Sequence, residues 1–205
     1  MQNVINTNIT TGFPPLLRWK SNMTNKPVEH QLRTNRLYMR PVSADDFHDY
    51  LLLFSDPSVM KFIGIEAGYV PKYEEIEQMF QGALEAWEIR GYGRWSMFDS
   101  ETLEFAGFCG FRCENGTPEL ITALHKRYWG RGLAAEAASA CIKYGFKSLG
   151  FTSINAFTRP SHIRARKTLK KLGAEFDGYT DFHGVTGASY HFNLEDFQAV
   201  EELLI

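Results

Sequence analysis

Apolar and polar residues change period several times along the chain, and each change marks an element. Residues 34–41 alternate and stop at Pro41, as a strand does. Phe47, Tyr50, Leu51 and Phe54 then recur at helical spacing behind Ser43, a fair N-cap with Asp45 and Asp46 in the first turn. Asp56-Pro57 breaks this helix, and residues 59–64 read as a short apolar turn. Ile76, Met79, Phe80, Ala83, Leu84 and Trp87 form the inner stripe of a second helix over residues 73–90, which Gly91-Tyr92-Gly93 ends. Three strands follow, over residues 94–98, 105–112 and 119–124, with turns at 99–102 and at Asn115-Gly116. An alanine-rich helix covers 133–149 and stops at Gly150. Residues 153–157 make a strand that returns parallel to 119–124 through that helical crossover. A helix over 161–172 is closed by Gly173. Residues 176–182 and 189–194 pair as a hairpin, with His183-Gly184 and Gly187 in its loop, and residues 196–204 form a terminal helix.

The pattern therefore predicts a mixed α+β sheet in which antiparallel strands precede the long helix, not an all-parallel nucleotide fold. Residues 1–33 show no period. They are rich in Asn and Thr, with Pro14-Pro15 in the middle, and read as an irregular extension to one domain over 34–205.

Composition narrows the class. An apolar fraction of 44 % suits a globular chain with a real core, and a net charge of −2 gives no reason to expect nucleic-acid binding. Cys109, Cys113 and Cys141 are odd in number and lack framework spacing, which points to a reducing, cytoplasmic compartment. No second pair completes a metal site with Cys109 and Cys113. No apolar run is long enough to span a membrane, and the first residues lack a secretory pattern.

Candidate chemistry concentrates between Glu119 and Gly150. A short apolar strand runs into Trp129-Gly130-Arg131-Gly132-Leu133-Ala134, and a helix starts there. The first turn of a helix leaves its N–H groups unpaired and favours negative charge. Glycines at 130 and 132 let the backbone approach a ligand closely, and Lys126, Arg127 and Arg131 add positive charge. Phosphate or pyrophosphate suits such a place. The turn lacks the Gly-Lys-Ser/Thr ending of a nucleoside-triphosphate loop and the third glycine of a dinucleotide turn.

The string Tyr-Trp-Gly-Arg-Gly-Leu-Ala-Ala-Glu-Ala resembles the acetyl-CoA turn of the GNAT N-acetyltransferases. It is most similar to the branch that contains the ribosomal-protein alanine N-acetyltransferases. Trp129, Gly132 and Ala134 occupy the first, fourth and sixth positions of that motif. The block after residue 34 resembles the opening of the same branch, so the resemblance covers residues 34–194.

The resemblance implies a GNAT fold: a mixed, mostly antiparallel sheet of about seven strands flanked by helices, with two splayed parallel strands at its centre. It implies an acyltransferase that moves acetyl from acetyl-CoA directly to a primary amine, on a protein N-terminus or a small molecule. It needs no metal, and acts as a monomer or homodimer. Carried over, Ala123, Leu124 and His125 run along the pantetheine arm, with a backbone N–H near Leu124 facing the reacting oxygen. Trp129, Gly130, Arg131, Gly132, Leu133 and Ala134 hold the pyrophosphate. His162 touches the arm, and Lys167 is a candidate for the 3′-phosphate.

Glu119 is the candidate base for the amine proton. The acids that relatives carry fall at Ala165 and Leu169 here, so His162 is the candidate proton donor to the thiolate. The loops 64–72 and 182–188 are expected to line the acceptor site, with Glu66, Tyr69, Trp95 and His183 as candidate lining residues. The competing reading is an acyl-CoA-binding sensor without turnover.

Overall fold

The structure is a computed structural model, and it describes residues 30–63, 68–114, 116–182 and 184–197. The candidate residues Glu66 and His183 lie outside those residues, as does most of the expected terminal helix.

Strands Leu32–Arg33 (β1) and Leu37–Pro41 (β2) begin the chain's regular structure. A 3₁₀ turn at Ala44–Asp46 leads into helix Phe47–Phe54 (α1), followed by the one-turn helix Pro57–Met60 (α2) and the long helix Tyr73–Arg90 (α3). Strands Arg94–Asp99 (β3), Phe105–Glu114 (β4) and Thr117–Leu124 (β5) come next. Helix Leu133–Lys147 (α4), strand Ser153–Thr158 (β6) and helix Ile163–Lys171 (α5) follow. The hairpin Glu175–Phe182 (β7) and Val185–Asn193 (β8) closes the sheet. Among the described residues this is one eight-stranded sheet in the order β1-β2-β3-β4-β5-β6-β8-β7. Among the described strands only the β5–β6 pair is parallel.

Both faces of the central strands are apolar, so side chains of alternate residues enter two cores. Trp95, Met97, Phe111, Leu120 and Leu124 pack against Leu133, Cys141 and Ile142 of α4 on one face. On the other, Phe98, Phe105 and Phe108 pack against Tyr50 and Phe54 of α1 and Phe80 of α3. Helix α4 lies close to the sheet because its inner face is small. A Cβ on Gly145 would stand 2.9–3.1 Å from side-chain carbons of Phe151, Phe111 and Ile154.

Three boundaries differ from the sequence pattern. Leu32–Arg33 pairs with Tyr38 and Met39, so the sheet takes in the end of the segment read as an extension; a two-residue strand has no alternation to read. Residues 57–60 form a helical turn because Asp56 caps the Ser58 N–H at 2.8 Å and Pro57 sits at its start. The β7–β8 turn is tighter than the 183–188 loop. Phe182 pairs with Val185, Gly184 has φ +80°, and Val185–Ala188 belong to β8. Gly187 is therefore a strand glycine. The Phe157 ring fills the space its Cβ would take.

Candidate functional site

The centre of the sheet opens where β5 and β6 part. They pair only through Glu119 with Asn155 and Leu120 with Ala156. β5 then runs on to Leu124 and β6 to Thr158. The exposure of Thr122, on a central strand, is the mark of that gap.

Ladder geometry decides which backbone groups face the gap. The His125 N–H donates to the Ala106 carbonyl at 2.9 Å, which makes Gly107–Leu124 a non-hydrogen-bonded pair of the β4–β5 ladder. The N–H and C=O of Leu124 therefore point away from β4, toward β6, and by alternation so do those of Thr122. The Leu124 carbonyl accepts a 2.7 Å bond from Trp129 Nε1, which leaves the Leu124 N–H as the donor presented to the gap. Of the three residues assigned to the arm, Leu124 offers its backbone there, whereas Ala123 and His125 turn theirs to β4. Thr122 is the edge residue that motif matching passed over. Strict alternation from Leu124 finds it.

Past Leu124 the chain makes a 3₁₀ turn at Lys126–Tyr128 and then the glycine turn. Gly130 and Gly132 have φ +76° and +79°, in the left-handed region that side chains avoid. Gly132 caps α4, whose first bond runs from the Glu136 N–H to the Gly132 carbonyl at 3.1 Å. The N–H groups of Leu133, Ala134 and Ala135 therefore have no partner inside the helix. Gly130, Arg131 and Gly132 are exposed, Leu133 is buried in the core, and Ala134 is partly buried. Lys126, Arg127 and Arg131 flank the turn in sequence and are exposed, though Arg127 Nη2 lies 3.5 Å from Glu104 Oε2. This donor set suits an anion, and a bulky side chain at Gly132 would fill its mouth.

A second arginine fixes the turn from outside. Arg36, before β2, donates from Nη1 to the Arg131 carbonyl at 2.7 Å and from Nε to Glu136 Oε2 at 2.7 Å. Glu136 also accepts from Thr34 Oγ1 at 2.6 Å and from the Arg36 N–H at 2.9 Å. No sequence signal links Arg36 to a helix 100 positions later. Arg131 additionally lies 3.6 Å from Asp99 Oδ2.

Glu119 sits at the closed end of the gap and is only 4 % exposed. Its Oε1 accepts a 2.8 Å bond from Arg112 Nη2, opposite it on β4. Asn155, its partner on β6, is exposed, so the α1–α3 face of the sheet is open beside it.

His162 caps α5 at the open end. Its ring stacks on Phe62 with centroids 4.0 Å apart and 12° between planes, and Nδ1 lies 3.4 Å from Thr158 Oγ1. Burial, with the nearby Arg164 charge, holds its pKa below the ordinary histidine value. Lys167 is exposed on α5. Tyr69 is exposed, and its hydroxyl donates to Glu75 Oε2 at 2.6 Å.

Of the two acceptor-lining candidates among the described residues, Trp95 lies away from the gap. It has no exposed surface, lies on the α4 side of the sheet, and packs edge-on against Trp87, Phe111 and Tyr144. Its Nε1 donates to the His30 carbonyl at 2.6 Å. A tryptophan at the start of an alternating strand faces either layer with equal ease, and here it belongs to the core.

Comparison with known proteins bears on this geometry. Residues 36–175 match the family model described as an acetyltransferase (GNAT) domain. An uncharacterized N-acetyltransferase, p20, of Bacillus licheniformis is 32 % identical over 152 residues, which covers 72 % of this chain and 83 % of that one. An acetyltransferase of Agrobacterium tumefaciens superposes with a TM-score of 0.70 at 24 % identity, over 80 % of this chain and 94 % of that one. The ribosomal-protein-S5-alanine acetyltransferase of Vibrio fischeri has the same fold, with a TM-score of 0.68 at 14 % identity, over 82 % of this chain and 98 % of that one.

Proposed function

The chain belongs to the GNAT acetyltransferase family, and on that premise we propose that it transfers acetyl from acetyl-CoA directly to a primary amine while both are bound. The observation that carries this reading is the parting of β5 from β6 beside a glycine-capped helix start. It offers a backbone edge for an extended arm and N–H groups for a pyrophosphate.

Bound acetyl-CoA supplies an acyl thioester, whose carbonyl is already electrophilic enough for an amine to attack. What remains for the protein is to hold, orient and move protons. The N–H groups of Gly132 to Ala135 and the Arg131 charge support binding of the pyrophosphate. The Leu124 N–H supports negative charge on the carbonyl oxygen as the amine nitrogen bonds to carbon. Glu119 accepts the amine proton, directly or through water, from the open face beside Asn155. His162 stands at the other end of the gap, where the thiolate leaves. A neutral imidazole gives up no proton readily, but the thiolate's charge raises its pKa and draws a proton onto it from solvent, which it then passes on.

The acceptor is a protein N-terminus or a small amine. It enters over the α1–α3 face, beside the exposed Asn155. The three free cysteines support a reducing compartment for this chemistry.

Calorimetric titration with acetyl-CoA, on the wild type and on Gly132→Trp, tests the reading. Wild type is expected to bind and the variant to keep its fold and lose binding. Thiol release with a panel of amines then reports transfer. Wild type that binds neither acetyl-CoA nor CoA would overturn the assignment.

A further inference from the structure

Arg94 begins β3 and lies on the same side of the sheet as Ser96, whose hydroxyl donates to Asp46 at 2.6 Å under α1. Its Cζ stands 4.9 Å from the centroid of the Phe108 ring. Arg94 Nη1 is buried and, among the described residues, has no hydrogen-bond partner. The neighbouring carboxylates are committed elsewhere. Asp46 is held by both terminal nitrogens of Arg40, and Glu119 accepts from Arg112. Burial lowers the Arg94 pKa, Tyr50 works to raise it and Arg112 lowers it further; the guanidinium stays charged at neutral pH. A desolvated cation with an unpaired donor is a standing cost unless an anion arrives to meet it.

Its place in the ladder says where that anion would come from. Arg94 is paired with Gly110, and Gly110 with Ile121, the first β5 residue beyond the β6 pairing. Gly110 puts no side chain on the face between them. The guanidinium leans from β3 over Phe108 on β4, whose partner on β5 is Ala123, so it lies on the face of the sheet that Glu119 and Asn155 also face. Arg112 occupies the neighbouring rung opposite Glu119. Two guanidiniums and one carboxylate thus border the place where the amine would lose its proton.

We propose that Arg94, supported by Arg112, binds a carboxylate of the acceptor, so that the substrates are amines carrying a carboxylate a few bonds away, as amino acids do. This rests on the acetyl-transfer reading. A polyamine or a purely cationic amine would meet like charge here.

The test uses acceptors in pairs, each an amino acid and its carboxamide, with thiol release as the readout. Wild type is expected to favour the acid, by at least about tenfold in kcat/KM. Arg94→Met should bring the ratio close to one, mainly through a higher KM for the acid. Acetyl-CoA titration of Arg94→Met controls for its fold, and removal of an unpaired buried charge should leave its melting temperature equal or higher. A wild type that treats acid and amide alike, or a ratio that survives Arg94→Met, overturns the carboxylate inference and leaves acetyl transfer standing. Bound acetyl-CoA with no acceptor turned over overturns both.

Discussion

Glu119 and Arg112 face each other across the β4–β5 ladder, and their 2.8 Å bond holds the carboxylate at the point where the central strands begin to part. With one oxygen tied to Arg112, the carboxylate is oriented as well as buried, which a proton acceptor needs. Glu119→Gln keeps the shape and an acceptor oxygen for Arg112 but removes the basic group. Steady-state kinetics should show kcat/KM for the amine lower by about 10²-fold or more. The acetyl-CoA dissociation constant should stay within about twofold, since the pyrophosphate turn is untouched. Activity within about tenfold of wild type would place the proton acceptor elsewhere.

Arg36 and Glu136 give a pH-dependent prediction. Burial works to raise the Glu136 pKa, but the bonds from Thr34 and from the Arg36 main and side chains outweigh it, so the carboxyl titrates below its ordinary value. A carboxylate with a depressed folded-state pKa stabilises the fold above the ordinary carboxylate range, and that contribution disappears as pH falls through the folded-state value. Glu136→Gln should therefore cost about 1 kcal/mol at neutral pH, and the gap to wild type should close in acid. Thermal melts across pH check this. Acetyl-CoA affinity should fall as well, because the same arginine holds the Arg131 carbonyl in the turn.

Much of this was legible in the sequence because the elements are strongly periodic. Helix α3 runs over the residues its stripe predicts, and Gly91 ends it in the left-handed conformation. The glycine turn was legible because Gly130 and Gly132 are needed for their backbone angles. Thr122 was missed because a motif names residue types, whereas the gap selects backbone direction. Arg36 is not legible because its partners, Glu136 and the Arg131 carbonyl, lie far along the chain, and the place of Arg94 follows from strand pairing that no motif encodes. Trp95, a candidate for the acceptor lining, lies in the α4-side core because facing depends on register, and register is fixed by partners. Gly187 read as a loop residue because the ring that demands it lies on another strand.

His162 gives a second pH-dependent prediction. Burial and Arg164 hold its pKa below the ordinary 6.5. Below that value the unfolded chain binds the proton more readily than the folded one, so the folded state loses stability as pH falls. An NMR titration of His162 should show a midpoint under 6.5, and Arg164→Gln should move it upward. Binding of CoA as thiolate beside the ring should raise it further, whereas a midpoint unmoved by CoA would remove His162 from the leaving-group end of the gap.

Phe157 and Gly187 supply a prediction about the gap itself. The ring of Phe157 on β6 covers Gly187 on β8, and an added Cβ would stand 1.7 Å from its Cζ. A contact that close requires the ring to move, since the β7–β8 ladder holds the backbone of Gly187 and the β6–β8 ladder that of Phe157. Gly187→Ala should therefore destabilise the protein by about 1–3 kcal/mol. Because Phe157 lies where β6 leaves β5, the displaced ring should also weaken acetyl-CoA binding. Phe157→Leu in the same chain makes room for the methyl group, so the double variant should recover most of the stability lost by Gly187→Ala, which separates a packing clash from a backbone effect. Melting temperature and calorimetry on the two single variants and the double variant decide it. Equal losses with and without Phe157→Leu would mean that the strand glycine is required for its backbone and not for the ring above it.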